Sequence, residues 1–150
     1  MTRALGCDGR SLLKGGALAA ITSGLPSTAW ALLTGADPLA AARAAGMLLP
    51  GRRERPSFVG GVIVHVAVSA AWTTAFGLAA HRWRLGPVRG ATAGLGIATL
   101  DLVVIGRHIP RIAALPRPAQ WADHVTFGAV LGLVLRQEQS DTSTYPGPRR

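Results

Sequence analysis

The stretch "SFVGGVIVHVAVSAAWTTAFGLAA", residues 57–80, carries 24 residues without a formal charge, and His65 is its one titratable side chain. At about 1.5 Å per residue, a helix of that length crosses the ~30 Å hydrocarbon core of a bilayer. The run therefore reads as a membrane span, and the rest of the chain is read outward from it.

Upstream, "GGALAAITSGLPSTAWALLTGA" fills residues 15–36 between Lys14 and Asp37, again without a charge. It is the expected first span, where Pro26 with Ser27 and Thr28 adds a kink and hydroxyls, freeing backbone groups that neighbours re-satisfy. Its early basic residues and the "AWA" at 29–31 also suit a signal peptide, but the unbroken apolar part before Pro26 is short and further spans follow. Between the two spans, Asp37 is a natural N-cap and Pro38 a natural first helical residue. Arg43 on this Ala/Leu/Met segment suggests a short helix lying in the interface, ended by Pro50 and Gly51. "RRERP" follows as a solvated hinge.

Downstream, "HRWRLGPVR" turns the chain and offers Trp83 as an interfacial anchor. A third span is expected over about 90–106 and a fourth over 119–135, separated by the proline-rich "PRIAALPRP". Residues 1–14 form an N-terminal segment and 137–150 a polar, disordered tail. The fold expected is all-α: a four-helix transmembrane bundle with one interfacial helix in the first loop.

Composition agrees with this reading. Hydrophobic residues make up 49% of the 150, aromatics only 5%, so the apolar content is mostly small or aliphatic and suits close helix packing. The net charge of +9 comes from basic residues spread among loops and termini. They form no dense basic patch interleaved with aromatics, which argues against nucleic acid as a partner and leaves the lipid bilayer. Four spans place nine Lys and Arg on the side of the termini and seven on the other, so the positive-inside rule favours cytoplasmic termini, in a bacterial plasma membrane. Cys7 is the only cysteine, which excludes an intrachain disulfide and a cysteine-based metal cluster.

Polar groups inside apolar runs are the candidate functional residues, because an ionisable group in the membrane is costly without a partner. Asp101 has only Ile97, Ala98, Val104 and Ile105 within helical reach on its own span, so its partner must come from another. In a four-span topology His65, Asp123 and His124 overlap it in depth. His65, Ser69 and Thr73 form a polar stripe on the second span, and Gly90, Gly94 and Asp101 share a face of the third. His124, Gly128 and Gly132 form a row on the fourth whose glycines admit another helix closely. The expected cluster is His65, Ser69, Asp101, Asp123 and His124, with Arg107 as an ion-pair partner for Asp123, and Gly90, Gly94, Gly128 and Gly132 as packing positions.

Each residue also has a plainer role. Asp101 and His65 can be interhelical packing groups, Asp123 and His124 first-turn boundary residues, and Arg107 a side chain snorkelling to the interface. No metal ligand set, cofactor motif, nucleophile–base pair, phosphate loop or dinucleotide fingerprint stands out. Two histidines and a carboxylate do suit a metal in kind, but they lie on separate helices with no internal spacing such as H-x3-H.

The runs "LDLVVIGRHIPRIAALPRPAQWADHVTFGAVLG" and "SGLPSTAWALLTGADPLAAARAAG" resemble an uncharacterised family of small four-span integral membrane proteins from actinobacteria. The resemblance covers about residues 15–135 and is most specific over 100–132. A single Lys, no Asn, and heavy use of Ala, Arg and Gly fit a GC-rich source. The resemblance implies the architecture and carries over no catalytic residue. The function expected is a noncatalytic multi-pass membrane protein with an intramembrane Asp/His cluster and a homo-oligomeric state left open. Two alternatives stand beside it: a small proton- or cation-linked transporter or channel subunit, and a membrane-embedded metal or haem protein.

Overall fold

A computed structural model describes residues 8–51 and 55–144, with side chains through Ser140. Residues 1–7, including Cys7, the first three residues of the "RRERP" hinge and residues 145–150 lie outside the described residues. All regular structure among those described is helical. α1 (Gly9–Ser23) runs into α2 (Leu25–Thr34), and a short α3 (Ala40–Ala45) with one 3-10 turn fills the first loop. α4 (Phe58–Ala80) and α5 (Pro87–Ala98) follow. α5 continues as a π-helical segment, Thr99–Ile105, and a 3-10 turn, Gly106–His108, before α6 (Pro110–Ala113) and α7 (Arg117–Thr144).

Among the described residues, three helical stretches are long and apolar enough to cross a membrane: Gly9–Thr34, Phe58–Ala80 and Pro87–His108. Only 22% of each apolar stretch is buried inside the protein. Large side chains face outward instead, among them Leu33 at 88% exposure, Val88 at 77% and Ile21 at 76%. A surface of this kind is unstable in water and fits a hydrocarbon surround.

α7 is the longest helix but less apolar, with Gln120, Asp123 and His124 near its start and Arg136 to Ser140 near its end. Its position explains why. It lies against α5, α1, α2 and α4, and supplies Phe127, Leu131 and Leu135 to the core formed with Ala19, Phe76, Ala80 and Ile97. Phe76 and Phe127 meet edge-to-face at 6.5 Å, an arrangement that favours aromatic rings beyond their buried area. A helix enclosed by its neighbours does not need an apolar face all round.

The α5–α7 seam is built from glycine. A Cβ at Gly90 would collide with the Gly128 carbonyl, one at Gly128 with the Gly90 carbonyl, and one at Gly94 with the His124 carbonyl. At Gly132 it would fall 2.5 Å from the Gly86 carbonyl oxygen. The two backbones touch where no side chain intervenes, as small-xxx-small rows permit.

Several boundaries differ from the sequence reading. The third span starts at Pro87, three residues before Gly90, because Pro is well suited to a first helical position. It also stays helical to His108. α7 begins at Arg117 and runs to Thr144, so residues 137–144 are helical and do not form the expected disordered tail. Gln139 explains part of this extension. Its Nε2 donates to the carbonyls of Ala80 (3.0 Å) and Trp83 (3.2 Å), and its Oε1 accepts from the Leu85 N–H (3.2 Å). One buried side chain thereby caps the turn between α4 and α5, which holds the end of α7 in place.

In the first loop, Asp37 Oδ1 accepts from the Leu39 N–H at 2.9 Å, and helix begins only at Ala40, so Asp37 caps a turn that precedes the helix. Arg43 pairs with Asp37. α3 then packs on the start of α4, where Gly61 lies against the Ala42 carbonyl and Ser57 Oγ caps the helix by accepting from the Gly60 N–H at 3.1 Å.

Candidate functional site

The polar residues singled out above gather near one level of the molecule, but they divide into separate contacts. Asp101 Oδ2 and His124 Nε2 are 3.3 Å apart, with both side chains about a quarter exposed. The other ring nitrogen of His124, Nδ1, is 2.8 Å from the Gln120 carbonyl one turn earlier in α7. A carbonyl can only accept, so Nδ1 carries a proton, and this contact orients the ring toward Asp101.

Asp101 sits in the π-helical segment, where the Gly106 N–H reaches back five residues to the Asp101 carbonyl. Such wide turns occur as single insertions in α-helices, frequently at functional sites. Here the widening follows the face made by Gly90, Gly94 and Asp101, which stays against α7. Beyond it, Val103, Val104 and Ile105 turn outward.

Asp123, beside His124 on α7, faces a different helix. Its Oδ1 accepts from the backbone N–H of Ser27 at 2.9 Å. Ser27 lies in the first turn of α2, where backbone N–H groups have no partner within the helix. The sequence "GLPST" creates the need: Gly24 ends α1, and Pro26 lacks an N–H. A carboxylate from α7 serves the exposed donor and favours the positive end of the half-helix.

His65 serves the other side of the same break. Its Nε2–H donates to the Ala20 carbonyl at 3.0 Å, in the last turn of α1. His65 is therefore bonded to α1 and does not join Asp101 and His124, contrary to the single cluster expected from depth alone. The stripe on α4 continues inward with Ser69 and Thr73, both buried, and Thr73 lies where a side chain at Gly16 would be.

Arg107 does not pair with Asp123. Its Nε donates to His108 Nε2 at 3.1 Å on the exposed 3-10 turn, because the tighter turn after the π segment carries the side chain to the surface. Among the described residues, no group of three or more His, Cys, Asp or Glu is arranged to hold a metal ion.

Comparison with models of known families, with curated proteins and with solved structures finds no match to the chain.

Two roles escaped sequence reading. Gln139 looked like tail composition, and the Ser27 N–H carries no side-chain signal at all. The cue for Ser27 was Pro26, which marks a break whose freed groups need partners. Which side chain supplies them depends on tertiary placement.

Proposed function

We propose that the chain is a noncatalytic multi-pass membrane protein of four spans, α1/α2, α4, α5 with its π segment, and α7. Its polar groups tie the spans to one another, and the lipid bilayer is its surround. The observation that carries this reading is the inverted distribution of side chains. Large aliphatic residues such as Leu33, Val66, Leu78 and Val88 face outward, while His65, Asp101, Asp123 and His124 bond to neighbouring helices. Where no water competes, each such bond satisfies a group that would otherwise cost several kcal/mol.

α7 is counted as a span because its partners extend along the length of the others. Asp123 meets Ser27 at the start of α2, and Gln139 meets Ala80 at the far end of α4. Sixteen residues separate these two positions, about 24 Å of helix. The proposed location is a bacterial plasma membrane with both termini cytoplasmic. Kinship with small actinobacterial membrane proteins belongs to the same reading, and its support is the 100–132 stretch.

Cysteine labelling tests the span count. In a Cys7→Ser background, single cysteines at Ala36, His81, Ala114 and Ser140 are probed with a membrane-impermeant thiol reagent on intact cells. Labelling at 36 and 114 with protection at 81 and 140 is the expected pattern. If 140 labels together with 114, α7 does not cross and the four-span reading fails.

A second reading, a proton- or cation-linked transporter or channel subunit, is favoured by one observation. One helix is interrupted, between α1 and α2, beside the level where Asp101 in its π segment meets His124, and transporters place their sites beside broken helices. Proton and cation flux in liposomes, wild type against Asp101→Asn, tests it. Equal background flux in both would eliminate this reading and leave the first intact.

A further inference from the structure

We infer that α2 is a movable half-span, hinged at Gly24 and latched to α7 by the Asp123 side chain. The inference rests on the membrane reading of Gly9–Thr34 and of the α7 segment beside it. It adds a conformational device that neither reading of the function requires.

The two halves of this stretch are held very differently. α1 buries Gly15, Gly16, Ala19 and Ser23 against α4 and α7. α2 buries Ala31 alone, while Leu25, Trp30, Leu32 and Leu33 face outward. Its main neighbour is α7, so little apolar packing fixes its position.

The hinge is open. Gly24 closes α1 and opens α2, and a Cβ built there would meet nothing within 4 Å. Pro26 removes one of the hydrogen bonds that would carry the helix across the junction. On the α1 side, His65 holds the Ala20 carbonyl at 3.0 Å, which keeps α1 in place whatever α2 does.

The latch is made at Ser27. Ser27 N–H donates to Asp123 Oδ1 at 2.9 Å. In an uninterrupted helix the same N–H would pair with the Ser23 carbonyl four residues back. The donor therefore has two mutually exclusive acceptors: Asp123, as in this structure, or Ser23, as in an uninterrupted helix. The donor is paired in either state, whereas release takes from the Asp123 carboxyl its Ser27 partner, so the Asp123 contact is what favours the latched arrangement.

Pulsed electron paramagnetic resonance on the full chain in lipid nanodiscs, in a Cys7→Ser background, tests this. One nitroxide pair, at Leu33→Cys and Leu133→Cys, reports α2 against α7. A reference pair, at Leu18→Cys and Leu133→Cys, reports α1 against α7. Asp123→Leu should shift or broaden the first distance distribution by several ångström and leave the second unchanged. If both stay as in the wild type, packing holds α2 and there is no latch. If both move together, the substitution loosens the whole protein and the hinge assignment is wrong. Should Asp123→Leu fail to insert, Asp123→Ala is read by the same criteria. Failure of the span count would appear in the thiol-labelling pattern, which these distances do not determine.

Discussion

The α5–α7 seam and the α1–α2 break join helices in opposite ways. Along the seam, Gly90, Gly94, Gly128 and Gly132 bring two backbones into contact, and the join depends on the absence of side chains. At the break, backbone groups released by Gly24 and Pro26 are taken up by His65 from α4 and Asp123 from α7, and the join depends on particular side chains. A glycine seam has one tight geometry and tolerates no added atom. A hydrogen-bonded break can exchange partners. Rigidity and adjustability are therefore assigned to different sides of α7.

The largest predicted effect falls on the seam. Gly90→Leu or Gly128→Leu drives a side chain into a facing carbonyl, with no flexible group to yield. Overpacking of this kind should cost roughly 3 kcal/mol or more, read as a lowered unfolding midpoint in detergent or loss of the folded form. A variant as stable as the wild type would mean that the two helices are not in backbone contact.

Gln139→Leu should come next, at about 1–2 kcal/mol, because it removes three contacts to the α4–α5 turn and strands buried backbone groups. Hydrogen exchange localised to residues 80–86 would check it, and unchanged protection there would remove Gln139 as a cap.

The Asp101–His124 contact should be smaller. A double-mutant cycle with Asp101→Asn and His124→Gln is expected to give a coupling of about 1 kcal/mol, the scale of interhelical polar contacts in membranes. A coupling near zero would separate the two residues energetically despite their 3.3 Å approach.

His65→Leu should have the least effect, about 0.6 kcal/mol or below. Its ring is exposed, and the Ala20 carbonyl keeps a second donor in Ser23 Oγ at 2.9 Å. A loss larger than that of the Asp101–His124 coupling would make the break the more demanding join and reverse the comparison.

Much of the architecture was legible because the signals were one-dimensional. Uncharged runs of more than 20 residues around 15–36 and 57–80 fall where long helices form. The four glycines stand on one face of each helix by spacing alone, and the structure places those faces together. α7 was harder to read by composition, because a helix surrounded by protein escapes the demand for lipid-facing apolarity.

The polar groups inside the apolar runs were legible in the sequence, and their pairing was not. Depth along the spans brought His65, Asp101, Asp123 and His124 to one level. Depth says nothing about rotation around the bundle, and rotation decided that Asp101 meets His124 while His65 and Asp123 each turn to the first stretch. The π segment was also invisible in "TLDLVVI", since nothing in its composition distinguishes a π turn from other apolar helix, and the wider turn appears only when packing on both sides is known.

The sequence by itself determined an all-helical chain, its apolar stretches, the glycine faces and the presence of unpaired polar groups within them. These follow from local composition and helical periodicity. Tertiary structure alone decided that α7 is central, that Gln139 caps a distant turn, and that Asp123 serves a backbone donor 96 residues away. Such contacts depend on the relative rotation of helices, and no spacing within one helix encodes the orientation of its neighbour.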